Sequence, residues 1–473
     1  MDGHVNKTAM RTCLLAVILI SGSCSTPDEL LSRSGLIVLE GATLIDGGGG
    51  PPIPNSVVVV DRDRILRVGK VGDFRYPEDA NVHDLRTRYL LPGFVDLHVH
   101  PRLGAERQTL QMLLAFGITT IRIPGVGFES HDSLGVELRA GVEDGSLTGP
   151  RIFTGAKIVE GPRKTFPDDV EVATEEELRA EVRRQGELGV DLVKLYWNTP
   201  PSFISAAVEE AESLEIQVVG HLRASSWTEA ARLGIDGLVH CGLNGPTWEL
   251  VAPEEREALQ SLPFPAYYDR LLELIELDGE RFSSLTSALV ENGVTVEPTL
   301  AMHQALYYGD DLSVLELLEP SLAPESVLAT WGEGWADANP NTVNSREAQT
   351  QGKGMFELCK EVVRRFHEQG VRLAAGTDVG EPWITPGVSF HRELQLLVEA
   401  GIPELDVLRI ATSNGARAIE QGAAFGTIGA GQFADFVVLR DNPLEDIRNT
   451  RSLEAIFKEG RRFDPATLMS VLD

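Results

Sequence analysis

The stretch Leu91-Pro92-Gly93-Phe94-Val95-Asp96-Leu97-His98-Val99-His100 decides how the rest of the chain is read. A short apolar run follows a glycine and ends on two histidines one residue apart. Residues two apart on a strand share a face, so His98 and His100 can reach one ion, at about 2.0–2.1 Å if it is zinc. Taken alone, His-x-His is equally a pair of solvated or hydrogen-bonded histidines, so its surroundings must decide. Seven further short apolar runs follow, at 119–123, 151–154, 192–195, 217–219, 237–239, 294–297 and 372–375. Amphipathic stretches alternate with them, including 175–188, 202–214, 356–369 and 390–399, with Gly or Pro at their boundaries. Eight βα units predict an α/β fold of the (β/α)8 TIM-barrel type before an open sheet.

Outside the barrel the pattern changes. Residues 36–69 hold short β-rich runs separated by turn residues. The run Asp46-Gly47-Gly48-Gly49-Gly50 leads into Pro51-Pro52 and no helix, which makes it a turn and not a phosphate cradle. After Gly431 the chain returns to β-type runs at 433–439 and 453–458, expected to rejoin the N-terminal β unit. The expected division is 1–23 as a leader, 36–92 and 427–473 as two parts of one β unit, and 93–426 as the barrel. Segments 243–280 and 299–354 are too long for ordinary connections and are expected to be lids. Tyr307, Tyr308, Trp331 and Trp335 in the second either wall a substrate pocket or pack the lid onto the barrel.

Acidic residues outnumber basic ones 71 to 42, a formal charge of -29 that repels phosphate backbones and excludes nucleic acid as a partner. The surplus carboxylates serve solubility and say little about substrate. At the start, Lys7 and Arg11 precede the apolar run 14–20, and Ser21-Gly22-Ser23 lead into Cys24. That is the pattern of a secretory signal, with an apolar run too short for a permanent span. The run 20–24 resembles a bacterial lipobox, with Ser21 where Leu is usual; the same serines also satisfy ordinary signal cleavage. The expectation is an exported protein of the bacterial cell envelope or periplasm, lipid-anchored in the membrane if Cys24 is acylated. Beyond the leader only Cys241 and Cys359 remain, too few for a disulfide framework.

The chemistry-bearing residues gather at the C-terminal ends of the expected strands, where TIM barrels work. His221 follows the fifth and His240 the sixth; Asp378 closes Ala375-Gly376-Thr377-Asp378 after the eighth. A barrel neighbour of the first strand, Asp378 can ligate a metal and accept a proton from an attacking water. Lys194 ends the fourth strand. It is either a surface lysine facing away or a buried amine that has taken up carbon dioxide as a carbamate. Tyr196, Arg223 and His303 are candidate substrate contacts, Arg223 through its planar fork. His391 reads as structural and Cys241 as a small core residue. No Gly-x-Ser-x-Gly elbow supports a serine nucleophile.

The motif 91–100, Gly376-Thr377-Asp378, Phe390-His391-Arg392-Glu393-Leu394 and Ile428-Gly429-Ala430-Gly431-Gln432-Phe433-Ala434-Asp435-Phe436 resemble the metal-dependent amidohydrolase superfamily. The similarity runs over most of 36–465, nearest the imidazolonepropionase-like branch with its prolidase-type and Xaa-Arg dipeptidases. The resemblance implies a barrel with a small composite β-sandwich built from both chain ends, and two divalent ions, commonly zinc. By motif, His98, His100 and Asp378 would hold one ion, His221 and His240 the other, and a carboxylated Lys194 would bridge them. The spelling Val193-Lys194-Leu195-Tyr196 matches members with that lysine, whereas Gly220-His221 departs from the usual Ala-His-Ala or His-Ala-His. The implied reaction is hydrolysis of a C–N amide bond by a metal-bound hydroxide, with Asp378 as general base and acid. A dipeptide or N-acyl amino acid is the expected small-molecule substrate, acted on by a homo-oligomer. The alternatives are a hydrolase of a cyclic amide, lactone or xenobiotic amide or ester with a single ion, and a catalytically silent binding lipoprotein.

Overall fold

The computed structural model describes residues 30–470 apart from 128–129, 243–244, 263 and 332–345. The expected leader, Cys24 and Trp335 lie outside these residues. Among the described residues no helix is long and apolar enough to cross a membrane.

Eight parallel strands form the barrel: Phe94–Asp96, Ile118–Ile123, Arg151–Thr154, Leu192–Leu195, Gln217–Gly220, Gly237–Val239, Thr295–Glu297 and Arg372–Leu373. The pairings include Asp96 with Ile121, Lys194 with Val219 and Val239 with Glu297. Two seams are irregular. Past Thr154 the chain forms a second short strand, Val159–Glu160, that pairs with Leu195, while Asp191 N–H donates to Thr154 O over 2.7 Å. Between the eighth and first strands, Leu97 N–H donates to Ala375 O (3.0 Å), Asp378 N–H donates to His98 O (2.8 Å), and Val99 bridges Val379. The ring therefore closes. The sequence extends the eighth strand to 375, but Ala375 N–H turns to Ile410 O instead of continuing the ladder.

Helices cover the outside, so all six residues of Ile118–Ile123 are buried, as expected of a parallel strand covered on both faces. The interior is unusual in one layer. Arg122 and Glu297, 1% and 0% exposed, form an ion pair there, and Arg122 Nε also donates to Leu97 O over 3.0 Å. Branched aliphatics commonly fill such a layer.

Both chain ends build the flanking sandwich. One sheet runs in the order Arg64–Lys70, Ser56–Asp61, Ile37–Glu40, Asn81–Asp84; the other runs Arg461–Phe463, Leu453–Lys458, Phe436–Leu439, Tyr89–Pro92, Thr43–Leu44. Period-two packing is explicit in Ser56–Asp61. Val58 and Val60 join Leu39, Leu90 and Phe436 between the sheets, while Val57 and Val59 join Leu30, Leu36 and Val38 on the other side. Tyr89–Pro92 leads straight into the first barrel strand, and the sandwich thereby fixes the entry to His98.

The two long segments are largely helical, with Thr247–Leu250, Pro253–Gln260 and Phe264–Leu274 in the first and Leu300–Tyr307 in the second. Their aromatics mostly pack and do not wall a pocket. Tyr308 meets Phe356 edge-on at 5.7 Å, and Trp331 meets Trp383 at 6.1 Å in a cluster with Ala105, Ala323 and Val327. Of these aromatics, only Tyr307 among the described residues borders the cavity described below. His391 is structural: its ring lies between Thr450 Oγ1 (2.9 Å) and Phe116 O (3.0 Å).

Candidate metal centre

His98, His100, Lys194, His221, His240 and Asp378 converge at one mouth of the barrel, each less than 10% exposed. Asp378 Oδ1 lies 3.5 Å from His98 Nε2 and 3.4 Å from His100 Nε2, and its Oδ2 lies 3.8 Å from His240 Nε2. Lys194 Nζ is 3.1 Å from His98 Nε2, and the His221 and His240 rings are 4.3 Å apart. Ligand atoms of His98, His240 and Asp378 all lie within 4.8 Å of one another. His240 and Asp378 hold left-handed backbone, φ 67° and 65°, a strain typical of functional positions.

The outward nitrogens are held from behind. His100 Nδ1 meets Gly125 O at 2.6 Å, and His240 Nδ1 meets Thr299 Oγ1 at 2.7 Å, leaving each Nε2 toward Asp378. His221 differs: Trp197 Nε1–H donates to its Nε2 over 3.0 Å, and its Nδ1 has no hydrogen-bond partner among the described residues. Nδ1 is therefore its available donor atom.

Electrostatically the cluster asks for a cation. Burial, then Lys194 as a neighbouring charge, holds His98, His100 and His221 well below the ordinary imidazole range; burial and then His221 do so for His240. They are neutral ligands ready for metal. Burial lowers the Lys194 ammonium, which favours the free amine a carbamate requires. Burial and Glu381 raise the Asp378 carboxyl. Four neutral imidazoles, one carboxylate and one readily deprotonated amine suit a divalent ion.

A cavity of about 330 Å³ opens from this cluster, bordered by His100, Lys194, His221, His240 and Asp378 but not by His98, which lies beneath. Tyr196 and His303 border it too. Arg223 lies outside that lining, its guanidinium 5.9 Å from the centre of the Trp197 ring. His303 also lies beside the buried thiols of Cys241 and Cys359, their ligand atoms within 4.8 Å of one another.

Sequence reading misses three buried charges, Asp96, Arg122 and Glu297. Asp96 accepts from His98 N–H (3.1 Å), Thr377 N–H (3.1 Å) and Thr377 Oγ1–H (2.7 Å), stapling the two ligand-bearing segments together. Glu297 lies behind His98 and pairs with Arg122. Asp96 lies within the apolar run 94–97 and Glu297 ends the run 294–297, but neither run shows which way its carboxylate faces.

The sequence profile of the amidohydrolase family matches residues 89–243 and 341–470, more than half of the chain. The chain belongs to the amidohydrolase family. It is a hydrolase acting on carbon–nitrogen bonds, in a family that generally uses a divalent metal, and its small cavity is consistent with a small-molecule substrate. Ochratoxinase of Aspergillus niger is 23% identical over 458 residues, 89% of this chain and 85% of that protein. N-acyl-D-aspartate deacylase of Alcaligenes xylosoxydans xylosoxydans is 41% identical over 99 residues, 20% of this chain and 19% of that one. Among solved structures, a Xaa-Pro dipeptidase with methionine bound in its active site superposes with a TM-score of 0.67 at 20% identity, covering 91% of this chain and 100% of that one. Bottromycin amidohydrolase superposes at 0.69 and 23% identity, covering 94% and 92%. These likenesses extend the TIM barrel and its added domain to this chain.

Proposed function

We propose that this enzyme hydrolyses the amide bond of a dipeptide or an N-acyl amino acid, using two divalent ions, most simply zinc. The observation that carries the proposal is the meeting of four neutral imidazoles, Lys194 and Asp378 at the floor of one cavity. His98, His100 and Asp378 would hold one ion, His221 and His240 the other, with Lys194 as its carbamate between them. Bound there, the ions would supply Lewis acidity toward the scissile carbonyl and lower the pKa of water. Asp378, in reach of three imidazoles, is placed to take a proton from that water and pass it to the leaving nitrogen. Tyr196 and Tyr307 line the cavity beside these groups.

The apolar part of the wall favours a second reading, a xenobiotic amide or ester. Phe166, Tyr196 and Trp197 form a continuous aromatic face, the last two stacked 5° from parallel. The similarity to ochratoxinase across 89% of the chain supports the same reading. For cellular location, the leader pattern around Lys7, Arg11 and Cys24 supports export to the cell envelope.

Screening the zinc-loaded protein against dipeptides, N-acyl amino acids and aryl amides tests these readings together. Cleavage of dipeptides or N-acyl amino acids, with about two ions per chain, supports the first. Turnover confined to aryl amides replaces it with the second.

A further inference from the structure

Apart from the cluster at the cavity floor, the described residues hold one further group of buried side chains with metal-binding chemistry, Cys241, Cys359 and His303. Three elements supply them. Cys241 follows the sixth barrel strand and adjoins His240, His303 lies on Leu300–Tyr307, and Cys359 lies on Arg346–Glu368, which packs against that helix. Both cysteines are free thiols without exposed surface, and His303 is 3% exposed. Cys359 Sγ donates to Cys241 O over 3.2 Å, holding the long helix against the turn that carries His240.

Packing accounts for two small buried cysteines. It does not account for the imidazole beside them, a polar ring that is costly to bury. His303 Nδ1 lies 2.9 Å from Thr299 O, which only accepts, so Nδ1 carries the proton and Nε2 keeps its lone pair. Nε2 is pressed onto the Cys241-Gly242 turn, where a Cβ on Gly242 would come within 2.1 Å of it. A hydrogen-bonded Nδ1 with Nε2 left to ligate is how metal-bound histidines are held. Thr299 serves both centres, since its Oγ1 meets His240 Nδ1 at 2.7 Å. Ligand atoms of the three side chains lie within 4.8 Å of one another. On a tetrahedral ion, bonds of about 2.3 Å to sulfur and about 2.0–2.1 Å to nitrogen set such atoms roughly 3.6–3.8 Å apart, a small contraction. Burial, then the neighbouring Cys359, raises the Cys241 thiol, which keeps it protonated and a poor nucleophile until a cation is present.

We propose that Cys241, Cys359 and His303 bind a further metal ion, of the thiophilic class to which zinc belongs. The hydrolytic reading does not require this ion and the proposal does not rest on that reading: the cluster at the cavity floor offers nitrogen and oxygen ligands, and this one is rich in sulfur. His303 borders the cavity, so water can complete the coordination of an ion held by three protein ligands. Bound there, the ion would fasten Arg346–Glu368 to the turn that carries His240.

Cobalt(II) separates the two centres, because thiolate ligands give it an intense near-ultraviolet charge-transfer absorption that imidazole and carboxylate ligands do not. The metal-free enzyme, kept reduced with a phosphine, is titrated with cobalt(II) chloride alone. We expect the wild type to develop the band and the double variant Cys241→Ser, Cys359→Ser to lack it and to hold one ion fewer by elemental analysis. Serine at 359 can keep the hydrogen bond to Cys241 O, so the variant should fold, as circular dichroism will show. His303→Ala should weaken binding of the band-forming ion at least about tenfold, the worth of even an outer-shell partner. This ion is additional to the hydrolytic pair, whose count of two is then read on the double variant. No band at saturating cobalt, a band undiminished in the double variant, equal ion counts, or unchanged affinity in His303→Ala would each overturn the site. So would a Cys241–Cys359 disulfide in the enzyme as isolated, read by mass after alkylation without reductant. Where the variants fail to fold, anomalous diffraction from cobalt-soaked wild-type crystals decides: an ion among the three side chains upholds the site, and cobalt found only elsewhere overturns it.

Discussion

Oε2 of Glu297 lies 3.3 Å from Nδ1 of His98, with both side chains wholly shielded from solvent. Glu297 uses its other oxygen to hold Arg122. The contact is not aligned as a hydrogen bond, but the nearby carboxylate electrostatically favours a proton on Nδ1, which leaves the Nε2 lone pair toward Asp378 and Lys194. Glu297→Gln is therefore expected to weaken metal affinity about 10- to 100-fold, measured by competition with a chelating dye. It also leaves Arg122 buried without an anion, so thermal unfolding should come earlier. Unchanged affinity would remove the positioning role.

Asp378 combines a ligand atom, a proton acceptor and a left-handed φ of 65°. Asparagine tolerates that backbone region well. Asp378→Asn should thus fold normally by circular dichroism and lose about 10²- to 10⁴-fold in kcat. An active variant would dismiss the proton-transfer role.

Gly380 lies two residues beyond, at φ 114°, where a Cβ would sit 2.3 Å from the carbonyl oxygen of His100. Neither the backbone angle nor the space admits alanine. Gly380→Ala is expected to displace His100, whose ring must stay near Asp378. Activity should fall by more than tenfold, since a misplacement of about 1 Å can cost about 10²-fold. Wild-type kcat/KM in this variant would show that the loop adjusts without cost.

Burial raises the carboxyl of Glu393 to about 8, even though Ala301 N–H donates to its Oε2 over 2.6 Å. Between its ordinary value of 4.5 and about 8, the folded chain keeps a proton that the unfolded chain gives up. The contribution is fully present below pH 4.5 and is lost as pH rises toward 8, at up to about 1.4 kcal/mol per pH unit. Glu393→Gln cannot titrate. The stability of the wild type minus that of the variant, from urea unfolding, should therefore decline steadily from pH 5 to pH 8. A flat difference would mean that the carboxyl is ionised in the fold.

Much of the barrel and its rim is legible in the amino-acid sequence. His98, His100, Lys194, His221, His240 and Asp378 each interrupt or end an apolar run, and a strand that finishes on a polar side chain announces a rim. Glu297 escapes such reading because the run 294–297 shows a strand without showing which alternate residues face inward. Only the register, with Val239 opposite Glu297, puts its side chain behind His98. Asp169, a buried carboxylate that borders the cavity, carries even less signal. It shares a loop with Asp168, and a pair of acidic residues between strands reads as solvated until burial is known. The aromatics of the long second segment mislead for the opposite reason: size alone does not distinguish a pocket wall from a packing contact such as that of Trp331 with Trp383.

The strand Tyr89–Pro92, which delivers the chain to His98, is zipped along one side to Phe436–Leu439. As the ribosome extrudes the protein, that second half of the zipper emerges only after all eight barrel strands. The nascent barrel waits with that side of its lead-in strand unpaired, so assembly of the reactive centre is coupled to synthesis of Phe436–Leu439. A prematurely terminated product would lack the clasp that sets its histidines in place.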